Sequence, residues 1–213
     1  MTRQVVIVDY GVGNLQSVAR AIVGVGAEPI FATTPEQVEV ASIMVVPGVG
    51  AFGSCTAALH SHGLREAVLA VIASGRPTLG ICVGMQMLLD ESEEFGTHAG
   101  LGLIAGKVRS IPSTGADGEP HKIPHIGWSG LQPNQVDWQG TIFEDTEPGD
   151  ACYFVHSFAA NPINPSEVLA TCDYDGRVIC AAVQKDNLVG VQFHPEKSGK
   201  VGLRILSRFV NAR

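Results

Sequence analysis

Residues 77–86 read Pro77-Thr78-Leu79-Gly80-Ile81-Cys82-Val83-Gly84-Met85-Gln86. The first five residues form a short apolar run typical of a buried strand, and residues 85–89 continue at helical spacing. Two glycines therefore flank Cys82 at a turn from strand to helix. Such a Gly-x-nucleophile-x-Gly elbow presents a nucleophile above a sheet, and the first N–H groups of the helix favour a thiolate there. The stretch predicts an α/β fold with a reactive cysteine.

The N-terminal half alternates two element types around this elbow. Strand-like runs occur at 5–8, 29–32 and 43–46, and helical apolar stripes occur at 15–23 and 64–72. Strands and helices in alternation imply parallel strands that are joined by right-handed crossovers.

The C-terminal half is richer in short extended runs and ends in a helix. The runs lie at 107–111, 152–159, 168–172, 178–183 and 188–193, and the helical stripe lies at 201–210. Runs separated by Gly, Pro, Asn and Asp favour antiparallel or mixed pairing, and some of them extend the same sheet. The predicted fold is α/β, a single domain over residues 1–213 with a central mixed, mostly parallel sheet flanked by helices.

The composition limits the partners of the chain. It has 213 residues, of which 45% are hydrophobic and 16% charged, and a net charge of −7. The charged fraction lies below the ~25% usual for soluble domains, so either much of the chain is buried or part of its surface is expected to meet a partner. An acidic chain lacks the clustered cations that bind phosphates, so no nucleic-acid partner is predicted. No apolar run reaches the ~20 residues of a membrane span and no signal-peptide pattern is visible, which predicts a cytoplasmic protein without membrane contact.

No motif indicates a metal or a cofactor. The cysteines are odd in number and form no Cys-x-x-Cys pair, which argues against a zinc ribbon and a disulfide scaffold. They are Cys55, Cys82, Cys152, Cys172 and Cys180. Gly11-Val12-Gly13 begins like a dinucleotide-binding motif, but Gln16 stands where the third glycine belongs. The chain also lacks the Gly-Lys-Ser/Thr pattern of a phosphate loop.

The segment Gly190-Val191-Gln192-Phe193-His194-Pro195-Glu196 supplies the partners that a thiolate nucleophile needs. Acyl transfer requires a base, normally histidine, that an acid holds in orientation. Residues two apart in extended chain share a face, so the side chains of His194 and Glu196 are predicted to pair. Taken alone, the same pattern would also fit a histidine at a strand end beside a solvated glutamate.

Together, the Cys82 elbow and His194-Pro195-Glu196 resemble the class I (triad) glutamine amidotransferases, over essentially the whole chain. The resemblance implies a flavodoxin-like core. Three further segments, 9–15, 124–128 and 190–198, resemble the glutaminase subunits of imidazole glycerol phosphate synthases. Their sequences are Asp-Tyr-Gly-Val-Gly-Asn-Leu, Pro-His-Ile-Gly-Trp and Gly-Val-Gln-Phe-His-Pro-Glu-Lys-Ser.

Two residues depart from the pattern of these subunits. Ser129 stands where Asn usually follows the tryptophan, and Phe158 stands where an aromatic hydroxyl often follows His-Ser. Neither departure touches the three catalytic positions.

The resemblance implies a role for each matching position. Cys82 is the nucleophile, His194 the base and acid, and Glu196 its orienting partner. The oxyanion hole comprises Val83, Val49 and Gly50, with a peptide flip at Val49. Glutamine is held by Gly50, Gln86, Glu94, Ser157 and Phe158. The partner interface, through which ammonia leaves, includes Asn14, Trp128, Tyr153 and Lys197.

The implied reaction is hydrolysis of L-glutamine to glutamate and ammonia through a cysteinyl thioester, without a cofactor or a metal. All 213 residues are used by the glutaminase domain, so a partner must use the ammonia, and the resemblance implies a (βα)8-barrel cyclase. Three alternatives stay open: the glutaminase subunit of another synthase, such as that of anthranilate or pyridoxal phosphate; a free-standing thiol hydrolase; and a non-catalytic binding subunit. The last would be expected to have lost a triad residue.

Overall fold

A computed structural model of the chain describes residues 2–212. Within this range the chain forms thirteen strands and six α-helices. The strands are β1 Gln4–Val8, β2 Glu28–Ala32, β3 Met44–Gly48, β4 Thr78–Cys82, β5 Leu89–Ser92, β6 His98–Ala99, β7 Ile104–Ser110, β8 His125–Pro133, β9 Ala151–His156, β10 Phe158–Pro162, β11 Val168–Tyr174, β12 Arg177–Lys185 and β13 Leu188–Val191. The helices are α1 Leu15–Gly24, α2 Pro35–Glu39, α3 Phe52–Ser61, α4 Arg65–Ala73, α5 Val83–Gln86 and α6 Gly199–Asn211.

Nine strands form one mixed sheet in the order β2-β1-β3-β4-β13-β12-β11-β8-β9. The pairings from β2 to β13 are parallel, and those from β13 to β9 are antiparallel. The predicted α/β class with a central mixed sheet is therefore confirmed. The parallel half of the sheet comprises β2, β1, β3, β4 and β13.

The parallel half is the buried centre of the molecule. Every residue of β3, β4 and β13 is buried, as expected for strands that helices cover on both faces. The predicted stripes of α1 and α6 face this core, since Ile22, Ile205 and Phe209 are buried. No helix within residues 2–212 has the length and apolar character to cross a membrane.

A second sheet, in the order β10-β7-β5-β6, was not predicted. The expected single run at 152–159 is wrong, because Ser157 separates β9, which belongs to the large sheet, from β10, which belongs to the small one. The predicted helix at 85–89 is also wrong. The helix ends at Gln86, and Leu89 begins a strand that pairs with β7. A short apolar run has no periodicity that separates the two structures.

The topology brings distant segments to one edge of the sheet. β3, β4 and β13 run in parallel, with Gly48 beside Cys82 and Ile81 beside Val191. Their carboxyl ends therefore place the residues that follow each strand next to one another, where ligands bind in open α/β sheets.

Candidate active site

Cys82 occupies the elbow that the sequence predicts. Its backbone has φ 55° and ψ −113°, a positive-φ conformation that residues other than glycine rarely adopt. Both residues that flank Cys82 in this motif must be glycine, because a side chain at Gly80 or Gly84 would collide with backbone atoms. A Cβ atom on Gly84 would lie 1.9 Å from the Val46 carbonyl oxygen, and one on Gly80 would lie 2.7 Å from the Gly84 carbonyl oxygen. Only one helical turn, Val83–Gln86, follows the cysteine.

His194 and Glu196 form a buried pair beside this cysteine. The distance from His194 Nδ1 to Glu196 Oε1 is 2.8 Å, and their side chains are 3% and 1% exposed. The pairing arises across a 3₁₀ turn at Pro195–Lys197, so the prediction that extended chain brings the two side chains to one face is wrong. The backbone N–H of His194 donates to the Tyr153 carbonyl at 2.9 Å, which anchors the base to β9.

The environment of His194 favours its charged form. Burial by itself lowers the pKa of His194, but hydrogen bonds and charge interactions with Cys82 and Glu196 outweigh burial and raise this pKa to about 9. An imidazolium next to the sulfur stabilises a thiolate and can return a proton to a leaving group.

A cavity of about 390 Å³ opens above the sulfur and collects most of the predicted residues. It is lined by Cys82, Val83, Val49, Gly50, Gln86, Glu94, Ser157, Phe158, His194 and Lys197, together with Pro124, Val155 and His156. The structure thus brings the predicted oxyanion and glutamine-binding positions to one place.

Gln86 is held in a single orientation at this cavity. Its Nε2 donates to the Phe158 carbonyl and to Gln192 Oε1, both at 2.9 Å. Because both amide hydrogens are used, its Oε1 is the atom that can accept a hydrogen bond from a ligand. Gln192 itself is fully buried, with Nε2 3.7 Å from Cys82 Sγ. Gln192 was not predicted as a site residue, although a polar residue at the end of an apolar strand is a usable signal.

Glu94 reaches the cavity from the turn between β5 and β6 of the small sheet. Its Oε2 accepts a 2.6 Å hydrogen bond from the N–H of Phe52, the first residue of α3. The helix start thus fixes a carboxylate at the cavity wall, where a ligand ammonium group would be attracted to it.

Two residues that were not predicted as site residues hold the segment 47–50 in place. Tyr10 Oη donates to the Pro47 carbonyl, and Cys55 Sγ donates to the Val49 carbonyl at 3.3 Å. These bonds hold the peptides on both sides of the Gly48–Val49 peptide.

The predicted interface residues lie beside the cavity rather than in it, except for Lys197. Trp128 on β8 and Tyr153 on β9 are register partners, with ring centroids 6.0 Å apart. Lys197 Nζ lies 5.9 Å from the Tyr153 ring centroid. Asn14 is exposed at the start of α1, a helix that packs against the Pro195–Lys197 turn. Trp128 is 58% exposed, which is unusual for a large aromatic side chain.

Comparison with known proteins decides the family. The model of the family "Glutamine amidotransferase class-I" matches residues 6–212. The chain belongs to the class I glutamine amidotransferases. The resemblance found in the sequence is thereby confirmed.

Curated members of this family include close relatives. The chain is 50% identical over 206 residues to imidazole glycerol phosphate synthase subunit HisH 1 of Legionella pneumophila (strain Lens), covering 96% of this chain and 97% of that protein. It is 48% identical over 208 residues to subunit HisH of Syntrophotalea carbinolica (strain DSM 2380 / NBRC 103641 / GraBd1), covering 96% and 98%. These identities confirm the predicted branch of the amidotransferase family.

A solved structure shares the amidotransferase fold at low identity. PurLQS from Thermotoga maritima superimposes with a TM-score of 0.73 at 18% identity, covering 99% of this chain and 98% of that chain. This likeness concerns the fold alone.

Proposed function

We propose that this protein is the glutaminase subunit of an imidazole glycerol phosphate synthase in histidine biosynthesis. The relatives that carry this name cover nearly the whole chain. The observation that carries the proposal is that a strained Cys82 and a buried His194 line one cavity, and that Glu196 Oε1 lies 2.8 Å from His194 Nδ1.

The first half-reaction forms a thioester. The Cys82 thiolate attacks the carboxamide carbon of glutamine, and the backbone N–H groups of Val83 and, after a peptide flip, of Val49 stabilise the oxyanion. His194 gives its proton to the amide nitrogen, the C–N bond breaks, and ammonia leaves. A preorganised oxyanion donor contributes roughly 3 to 4 kcal/mol to transition-state stabilisation. If the Val49 peptide flips only when the partner has bound its substrate, glutamine hydrolysis is slow in the absence of that substrate.

The second half-reaction regenerates the enzyme. His194 takes a proton from water as the hydroxide adds to the thioester carbon. The C–S bond then breaks, which releases glutamate and restores the thiolate with a protonated His194. Glu196 orients the imidazole throughout.

The cavity wall supplies groups for both ends of the substrate. Glu94 and the Oε1 of Gln86 suit the ammonium group of glutamine. Backbone groups of Gly50, Ser157 and Phe158 suit its carboxylate. No step requires a metal or a cofactor.

Ammonia takes up a proton in neutral water and is then no longer a nucleophile, so direct transfer to an acceptor site is required. We place a (βα)8-barrel cyclase subunit over Asn14, Trp128, Tyr153 and Lys197, in a cytoplasmic heterodimer that channels ammonia. The exposure of Trp128 beside the cavity supports this docking face.

The proposal is tested with a glutamine-mimicking diazoketone and mass spectrometry. We expect modification at Cys82 alone, and glutamate production that rises when cyclase and a substrate analogue are added. Modification elsewhere, or none with partner present, contradicts the assignment. Full turnover without a partner would favour a free-standing hydrolase, and co-purification of a different synthase would favour another glutaminase.

A further inference from the structure

A continuous row of hydrogen bonds runs from β8 to the glutamine pocket. Ser129 Oγ lies 2.9 Å from His125 Nε2, and His125 Nδ1 lies 3.0 Å from His156 Nε2. His156 Nδ1 lies 2.9 Å from the carbonyl oxygen of Phe158. His125 and His156 are register partners on β8 and β9, and both are buried.

The contact of His156 Nδ1 with the Phe158 carbonyl oxygen determines which nitrogen of each imidazole carries a hydrogen. A carbonyl oxygen can only accept, so His156 Nδ1 must carry a hydrogen. In a neutral imidazole, Nε2 of His156 is then bare and accepts from His125 Nδ1–H. His125 Nε2 is bare in turn and accepts from the Ser129 hydroxyl. Each donor in the row has one acceptor, and the row has one direction.

We propose that His125 and His156 are positioning residues, two neutral imidazoles protonated at Nδ1 that fix the Phe158 carbonyl and, through it, the Gln86 amide of the glutamine pocket. The Phe158 oxygen receives two hydrogen bonds, from His156 Nδ1 and from Gln86 Nε2, each at 2.9 Å. Both of its acceptor directions are therefore filled, and the Gln86 oxygen is kept for the ligand. This assignment of a role in substrate binding rests on the proposed glutaminase activity.

The surroundings keep both rings neutral. Burial lowers the pKa of His156 to about 4, against a smaller opposing effect of the Phe158 carbonyl, and the nearby His125 and His194 lower it further. Burial also lowers the pKa of His125, although Asp175 opposes the shift and His121 adds to it. The His125 ring is packed between Phe154 and Tyr174, with centroids at 5.0 and 4.1 Å. Packing on both faces prevents the ring from turning away from its partners.

The row also accounts for one of the two departures from the subunit pattern. Ser129 replaces the usual Asn, yet its hydroxyl supplies the hydrogen that His125 Nε2 requires at 2.9 Å. An asparagine amide can donate one as well, so the two residue types are equivalent in this respect.

Nitrogen-15 NMR of the full chain, labelled in histidine, tests the tautomers without reference to activity. Long-range proton–nitrogen spectra distinguish an imidazole protonated at Nδ1 from one protonated at Nε2, which is the form that prevails in water. At pH 7 we expect the Nδ1–H pattern for both His125 and His156, assigned by the signals lost in His125→Gln and His156→Gln. An Nε2–H or a doubly protonated pattern for either ring overturns the inference, whether or not the protein hydrolyses glutamine.

Steady-state kinetics with saturating cyclase test the positioning role. His156→Asn keeps an N–H donor near the position of Nδ1, whereas His156→Leu has none. We expect the KM for glutamine to rise roughly tenfold in His156→Leu with kcat within threefold, and to stay within threefold in His156→Asn. Ser113→Ala, on an exposed loop, serves as a control for the effects of preparing a variant protein.

The kinetic outcomes separate a positioning role of His156 from a role in packing alone. Equal KM values in wild type and both variants overturn the positioning role, as does an equal loss in both variants with equally lowered melting temperatures, which would indicate packing alone. A fall in kcat without a change in KM also overturns it. Absence of glutaminase activity in the wild type with its partner instead contradicts the proposed function, and leaves the NMR result to decide the tautomers.

Discussion

A Cβ atom on Gly84 would lie 1.9 Å from the carbonyl oxygen of Val46, on the neighbouring strand β3. Replacement of this glycine forces the elbow away from the sheet. We expect Gly84→Ala to lower the free energy of unfolding by about 3 kcal/mol, as overpacking of a rigid core does, and to abolish glutaminase activity. Gly24→Ala is the matched control, because a Cβ atom there meets only Leu203 Cδ2, at 3.7 Å. Equal denaturation midpoints for the two variants would contradict the close approach.

The backbone of Cys82 predicts an unusual order of stability. At φ 55° a side chain costs of order 1 kcal/mol or more that glycine does not incur. Cys82→Gly is therefore expected to unfold at higher denaturant concentration than Cys82→Ala, by about 1 kcal/mol, although glycine is normally the less stabilising residue. Both variants should lack glutaminase activity. A less stable glycine variant would show that the elbow is not strained.

The His194–Glu196 pair predicts a pH dependence of stability. Interactions with Cys82 and Glu196 raise the pKa of His194 from 6.5 to about 9 despite burial. The folded state thus binds a proton more tightly than the unfolded state. The resulting stabilisation is complete below pH 6.5 and is lost as the pH rises through 9.

Glu196→Gln keeps the size of the side chain and removes its charge. We expect its unfolding free energy to change less between pH 6 and 9.5 than that of the wild type, by about 1 to 2 kcal/mol, and kcat to fall roughly a hundredfold. Urea titrations at the two pH values measure the first effect. Parallel pH curves for the two proteins would refute the role of Glu196 in holding the proton.

The exposed side chain of Trp128 is expected to contribute to the affinity for the cyclase. An exposed tryptophan at an interface centre typically contributes about 2 kcal/mol to binding, so Trp128→Ala should weaken cyclase binding by roughly thirtyfold. Glutaminase activity should recover at high cyclase concentration, because the catalytic groups are intact. Val178→Ala, at a 74% exposed residue of β12, should bind cyclase like the wild type. Calorimetric titration distinguishes these results, and unchanged affinity in Trp128→Ala would place the partner elsewhere.

Local sequence determined the parallel half of the fold and the position of the nucleophile. Unbroken apolar runs specify β1, β3, β4 and β13 because strands covered on both faces need apolar residues throughout. Gly80 and Gly84 specify the elbow, since no other residue allows such close approach of two backbones. The antiparallel strand β8 escaped prediction, because its exposed and half-buried residues follow no simple alternation.

Tertiary structure alone decided the contacts that organise the pocket. Gln192 meets Gln86 across a sequence separation of 106 residues, and Tyr10 meets Pro47 across 37. The proposed protonation of His125 and His156 likewise depends on the Phe158 carbonyl oxygen, which lies 2.9 Å from His156 Nδ1. Local patterns record which face of an element is apolar, whereas a hydrogen bond depends on distance and direction between atoms that only the folded chain brings together.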